Sequence, residues 1–138
     1  MSQENVEIVA RSIDAFNRAF NRGDLEDFLE FLTPDIEWLP VMGAMGRDGS
    51  FHGRTGVEEY FDALRDAWED LAFAPPNEVR DLGEKTLMLG RLQGRGRGSG
   101  VTVDTPIAVL YDHRGGQISR IHAFYDPAEA LKAVGLEE

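Results

Sequence analysis

The sequence predicts an α+β fold. Apolar residues recur at helical spacing through the first half, they alternate with period two through the second, and the two patterns do not interleave. Helices therefore come first and an antiparallel meander follows.

The first helix carries Val6, Val9, Ile13, Phe16 and Phe20 as one apolar stripe. Ser2 stands where an N-cap is wanted, and Gly23 can take the left-handed conformation that ends a helix. Asp24 then caps a shorter helix with Leu25, Phe28, Leu29 and Leu32, which Thr33-Pro34-Asp35 stops. Ile36 to Leu39 reads as a short strand, and a loop rich in Gly and Met runs from Val41 to Gly53. Thr55-Gly56-Val57-Glu58 has the pattern of a capping box, followed by a buried stripe of Val57, Tyr60, Phe61, Leu64 and Trp68. That helix ends before Pro75-Pro76.

A strand is expected around Phe73 to Asp81, then three more at Leu82 to Gly94, Val101 to Asp112 and Gln117 to Tyr125. Gly115-Gly116 suits a tight hairpin, and the Gly/Arg run Gly94 to Gly100 a longer one. Asp126-Pro127-Ala128-Glu129 starts a last helix that Gly135 ends.

The 138 residues fit one domain, 1–138, with no internal repeat or linker. Nothing approaches the run of apolar residues that a membrane span needs, and the first residues lack a signal peptide's pattern, so the expected location is cytoplasmic with no membrane partner. A formal charge of −11 disfavours a nucleic-acid partner. Gly-Arg-Gly-Arg-Gly at 94–98 is too short to reverse that. Without cysteine there is no disulfide, thiol nucleophile or cysteine metal site. His52, His113 and His122 are too far apart for a helical metal motif, so no metal and no cofactor is expected.

In the strand from Val101, odd positions are nearly all apolar, and even positions are smaller and more mixed. The strand before it also carries apolar residues on both faces. Both faces then need cover, one from the helices and the other from a second subunit. Alternation alone does not say which face is which.

Ala15-Phe16-Asn17 with Gly23-Asp24-Leu25-Glu26, Pro34 to Trp38, and His52 to Val57 resemble the SnoaL-like branch of the nuclear transport factor 2-like superfamily. So do Gly90-Arg91-Leu92, Arg114 to Ile118 and Tyr125 to Leu131, and the resemblance covers nearly the whole chain. It implies a cone-shaped α+β barrel, a curved antiparallel sheet wrapped around N-terminal helices, which encloses an apolar pocket and forms a homodimer. Relatives include polyketide cyclases, ketosteroid isomerases and limonene epoxide hydrolase, so fold does not settle function.

The catalytic sets of those enzymes are poorly matched. Phe16 stands where the isomerases have a tyrosine, Leu39 or Pro40 where they have the base, and Ala108 where they have the second aspartate. Ala108 or Val109 falls on the cyclases' acid, and Gln93 lies near one of the acids that the epoxide hydrolase requires beside its arginine.

The resemblance also implies an inward face: Leu87, Leu89, Arg91 and Gln93; Asp104, Pro106, Ala108 and Leu110; then Ile121, Ala123 and Tyr125. Arg91 and Asp104 are the candidate catalytic residues, the guanidinium to hold developing negative charge and the carboxylate as its partner or as a proton carrier. A structural ion pair is the simpler alternative. Phe16, Phe20, Trp38, His52, Tyr60, Phe61, Gln93 and Tyr125 are the candidate ligand-binding residues. The expected function is binding of a small hydrophobic or aromatic metabolite, with cofactor-free acid/base chemistry if it is catalytic. The alternative is a non-catalytic ligand-binding or protein-interaction module.

Overall fold

A computed structural model describes residues 2–40 and 50–133. Its elements run α1 (Ser2–Arg22), α2 (Leu25–Leu29), β1 (Leu32–Leu39), β2 (Phe51–His52), α3 (Gly53–Ala67), β3 (Trp68–Asp81), β4 (Lys85–Gly96), β5 (Thr102–Arg114), β6 (Gln117–Phe124) and α4 (Pro127–Ala133). The strands form one six-stranded sheet in the order β2-β1-β6-β5-β4-β3. It curls into a half-barrel with the N-terminal helices on its inner side. The α+β class and the wrapped sheet agree with the sequence reading.

The meander β3-β4-β5-β6 is antiparallel, as alternation and glycine turns demand. Gly115 and Gly116 have φ of 59° and 81°, which only a two-residue turn with left-handed positions closes without strain. The sheet also holds a parallel pair that local patterning does not reveal. β1 runs alongside β6, with Trp38 opposite Ile121, so the N-terminal half of the chain adds to the meander's last strand.

Several boundaries differ from expectation. β1 begins at Leu32, because that residue pairs with Ile118 of β6 instead of ending a helix. α3 begins at Gly53 with His52 at its N-cap, and no side chain caps it. The capping box at Thr55 is therefore not formed. The same helix ends at Ala67, and Trp68 opens β3. Four-residue spacing from Leu64 fits a helical stripe, but pairing of Trp68 with Gly96 makes it strand. Asp126 does cap α4, accepting a hydrogen bond from the Ala128 N–H at 3.0 Å. The expected loop from Val41 and the stop at Gly135 lie outside the described residues, save for Ser50 to Gly53.

β3 is an edge strand with a register break between Ala74 and Glu78, around Pro75-Pro76. Asn17 of α1 takes the place of a ladder partner there. Its side-chain carbonyl accepts from the Phe73 N–H at 3.0 Å, and its amide donates to the Phe73 carbonyl at 3.2 Å. The Arg65 guanidinium donates to the Ala19 carbonyl at 2.6 Å and ties α3 to α1.

Two apolar clusters follow from strand parity. The main one fills the half-barrel and joins Val9, Ile13, Phe16 and Phe61 to Met88, Leu92, Ile107, Val109, Tyr111 and Ile121 of the inner sheet face. The second lies on the outer face, where Ala130 and Leu131 of α4 cover Leu87, Ala108 and Leu110. No helix among the described residues is long and apolar enough to cross a membrane.

Candidate functional site

The inner sheet face and the helices do not meet everywhere. Between them lies a cavity bounded by Ser12, Ile13 and Phe16 of α1, Phe28 of α2, Trp38 and Pro40 at the end of β1, and Tyr60 of α3. The sheet supplies Leu71, Phe73, Leu92, Ile107, Val109, Tyr111, Ile121 and Ala123. Helical spacing puts Ser12, Ile13 and Phe16 on one side of α1, and period two puts Ile107, Val109 and Tyr111 on one face of β5.

The aromatic walls stand edge to face. Trp38 and Tyr60 have ring centroids 4.8 Å apart at 62°, and Phe16 meets Phe73 at 5.0 Å and 60°. Phe28 and Phe61 complete the packing around Phe16. The open volume is about 30 Å³. At roughly 10–15 Å³ for one water, that space holds a few waters. An aromatic ring needs more, on the order of 150 Å³. A ring-sized ligand therefore enters only by parting these side chains.

Polar groups in the walls are few. Ser12 donates its hydroxyl proton to the Val9 carbonyl at 2.7 Å and so serves its own helix first. The others among the described residues are the Trp38 indole N–H and the Tyr60 and Tyr111 phenols. Burial pushes both hydroxyls well above the usual phenol range, and the nearby Tyr125 hydroxyl adds to the effect at Tyr60. Both stay neutral at physiological pH. The lining holds no carboxylate, ammonium, guanidinium or imidazole among the described residues.

Phe16, Trp38 and Tyr60 are where the sequence reading put them, on the cavity wall. Phe20 and Phe61 are buried in the core just behind that wall. Tyr125 is 53% exposed and lies beyond the lining, close enough to Tyr60 to act on it electrostatically. His52 is exposed, its ring Nε2 2.9 Å from the Ser50 hydroxyl, and does not face the cavity.

Arg91, Asp104 and Gln93 require a correction. They come together: the Arg91 Nε–H donates to Asp104 Oδ1 at 2.7 Å, and the Gln93 amide donates to Asp104 Oδ2 at 3.2 Å. The meeting is on the outer face, with the Arg91 and Asp104 side chains 52% and 54% exposed. On β4 the even positions Met88 and Leu92 face inward, and on β5 the odd positions Ile107, Val109 and Tyr111 do. The expected parity was the reverse for both strands. The large odd residues of β5 fill the half-barrel better than Ala108 can, and Leu87 and Leu110 find separate cover under α4. On β6 the expected Ile121 and Ala123 do line the cavity.

Tyr111 is the functional group the sequence reading missed. Its signal was present, since it ends the apolar odd stripe Val101 to Tyr111. No described residue forms a metal-binding group of acids and histidines.

A curled sheet closed by helices over an apolar cavity defines a pocket-forming α+β class of protein. The chain belongs to the SnoaL-like domain family, whose model matches residues 13–121. Its fold is similar to an NTF2-like protein of unknown function from Burkholderia pseudomallei K96243, at 24% identity over 96% of this chain and 98% of that one, with a TM-score of 0.75. An NTF2-like protein from Burkholderia xenovorans LB400 is similar at 26% identity over 91% and 92%, with a TM-score of 0.73. TerC, co-crystallised with polyporic acid, is similar at 23% identity over 94% and 96%, with a TM-score of 0.75. Among curated proteins none matches the sequence.

Proposed function

We propose that the protein binds a small, uncharged, largely apolar molecule in the cavity beneath β5. The observation that carries this reading is the wall itself, aliphatic and aromatic on all sides, with the Ser12 hydroxyl, two neutral phenols and the Trp38 indole as its only polar side-chain groups among the described residues. Burial of apolar ligand surface there gains roughly 25 cal/mol per Å². A charged ligand would lose its hydration with no countercharge in the lining. TerC, co-crystallised with polyporic acid, is a fold relative seen with a small molecule, which supports ligand binding and not the ligand's lack of charge.

Acid/base turnover is the finer reading. The phenols can polarise a bound group, but the described lining offers no base at neutral pH, so binding comes first. The exposed Arg91–Asp104 pair is a surface ion pair, not cavity chemistry. The homodimer rests on the outer face, where Leu89, His122 and Phe124 remain partly exposed beside α4. Sedimentation of a self-associated species tests it.

Trp38 reports on the cavity directly. In a Trp68→Phe variant it is the sole tryptophan, since the chain has two. Titration with tetralin, an uncharged two-ring hydrocarbon, should shift its emission saturably, and narrowing the space with Ala123→Leu should weaken binding at least tenfold. No saturable change in a folded protein would sink the reading.

A further inference from the structure

We propose that Phe73 is the door of the cavity, the wall residue that swings aside to admit a ligand, and that the Asn17 side chain is the positioning residue that holds it shut. This rests on the reading that the cavity takes a ligand.

An open volume of about 30 Å³ is far below the size of a ring, so part of the wall has to move before a ring enters. Of the described lining residues, all are buried except Phe73 and Ala123, which reach the surface in part. Ala123 carries only a methyl group. Its strand, β6, is held on both sides, by β5 at Val109 and by β1 through the pairing of His122 with Leu39. Moving it would break two ladders at once. Phe73 stands on the edge strand β3, and its ring is the larger obstacle.

The backbone at Phe73 is also lightly secured. Its N–H and carbonyl both meet the Asn17 side chain, at 3.0 and 3.2 Å. In an antiparallel pair those two groups of one residue point the same way, so at Phe73 they point away from its ladder partner Leu92. Asn17 thus stands in for a strand. Just beyond, the register breaks between Ala74 and Glu78, where Pro75 and Pro76 have no N–H to give a ladder. The Phe73 ring closes against Phe16 at 5.0 Å, on the same helix as Asn17. One helix therefore supplies both the stop for the ring and the latch for its backbone. Releasing two hydrogen bonds lets this segment swing outward while β4, β5 and β6 stay paired.

A latch sets rates and leaves the equilibrium nearly alone, because the ligand-free and ligand-bound forms are both closed. The test follows Trp38 emission by stopped flow in the Trp68→Phe background, with tetralin as the probe. Asn17→Ala should raise the association and dissociation rates together, each about tenfold, with Kd within about threefold. Gln117→Ala is the matched control. It also removes two bonds from an amide side chain to the backbone, at the Glu30 and Leu32 carbonyls beside the start of β6, and its rates should stay within twofold. Phe73→Ala takes the door away, so association should quicken at least tenfold, and adding Asn17→Ala should quicken it no further. Unchanged rates in either Asn17→Ala or Phe73→Ala, or an equal rise in Gln117→Ala, would overturn the door and leave the cavity reading standing. No tetralin binding to the parent chain would overturn both.

Discussion

Arg91 and Asp104 sit diagonally across neighbouring strands, with Arg91 opposite Pro106 and Gln93 opposite Asp104. The Arg91 hydrogen bond holds the Asp104 carboxyl below the usual carboxylate range, against the raising effect of burial and with lesser help from Gln93. Because both side chains face water, the pair is screened and contributes little to stability. Arg91→Leu should leave cavity binding within twofold of wild type, and NMR titration should show the Asp104 carboxyl moving up towards its ordinary value. His113 and His122 carry the opposite sign of pH dependence from a partnered imidazole. Burial lowers His113, against the raising influence of Asp112 and Asp81. At His122, burial and then Arg120 lower the ring, against Glu37 and Asp112. A folded-state value below the unfolded one, about 6.5, means that the unfolded chain binds the proton first. Stability is therefore lost as pH falls through and below that value. Thermal unfolding should show Tm dropping between about pH 7.5 and about pH 5.5, with a smaller drop in His113→Gln and in His122→Gln.

β3 and β4 show how much of an element depends on one close approach. A side chain at Gly94 would place its Cβ 2.8 Å from the Asp70 carbonyl oxygen and 2.9 Å from Leu71 Cδ1. The first is backbone and cannot swing aside, so Gly94→Ala should destabilise by about 1–3 kcal/mol in chemical denaturation. On the other side of β3, Asn17 replaces a missing strand. Asn17→Ala removes both bonds to Phe73 and should cost about 1–3 kcal/mol. Hydrogen exchange should accelerate at the Phe73 amide more than at amides of β5. Patterning made the helix-then-meander order legible because each period is local. The end of α3 was not legible, since Trp68 falls four residues after Leu64 and satisfies a helical stripe, while its actual partner Gly96 is far along the chain. The parallel β1–β6 pair escaped for the same reason.

The whole molecule is a half-barrel with cover on both faces, and that explains why the candidate site was only half read. Phe16, Trp38 and Tyr60 come from elements whose inward side is unambiguous, α1, β1 and α3. On β4 and β5, Leu87, Ala108 and Leu110 are as apolar as Met88, Leu92 and Ile107, because α4 buries one set and the half-barrel the other. Alternation then predicts two apolar faces without assigning them, and it is the family resemblance that puts Arg91 inside and leaves Tyr111 out. The corrected geometry leaves the cavity as the centre of the account, with Val109, Ile121 and Ala123 on its floor. Methyl NMR during a tetralin titration examines it most directly. The account predicts saturable shifts concentrated at Val109, Ile121, Ala123 and Leu92, with the outer-face methyls of Leu89 and Leu131 unmoved. Shifts confined to Leu89, Leu131 and Leu110, or no shifts at ligand saturation, would contradict it.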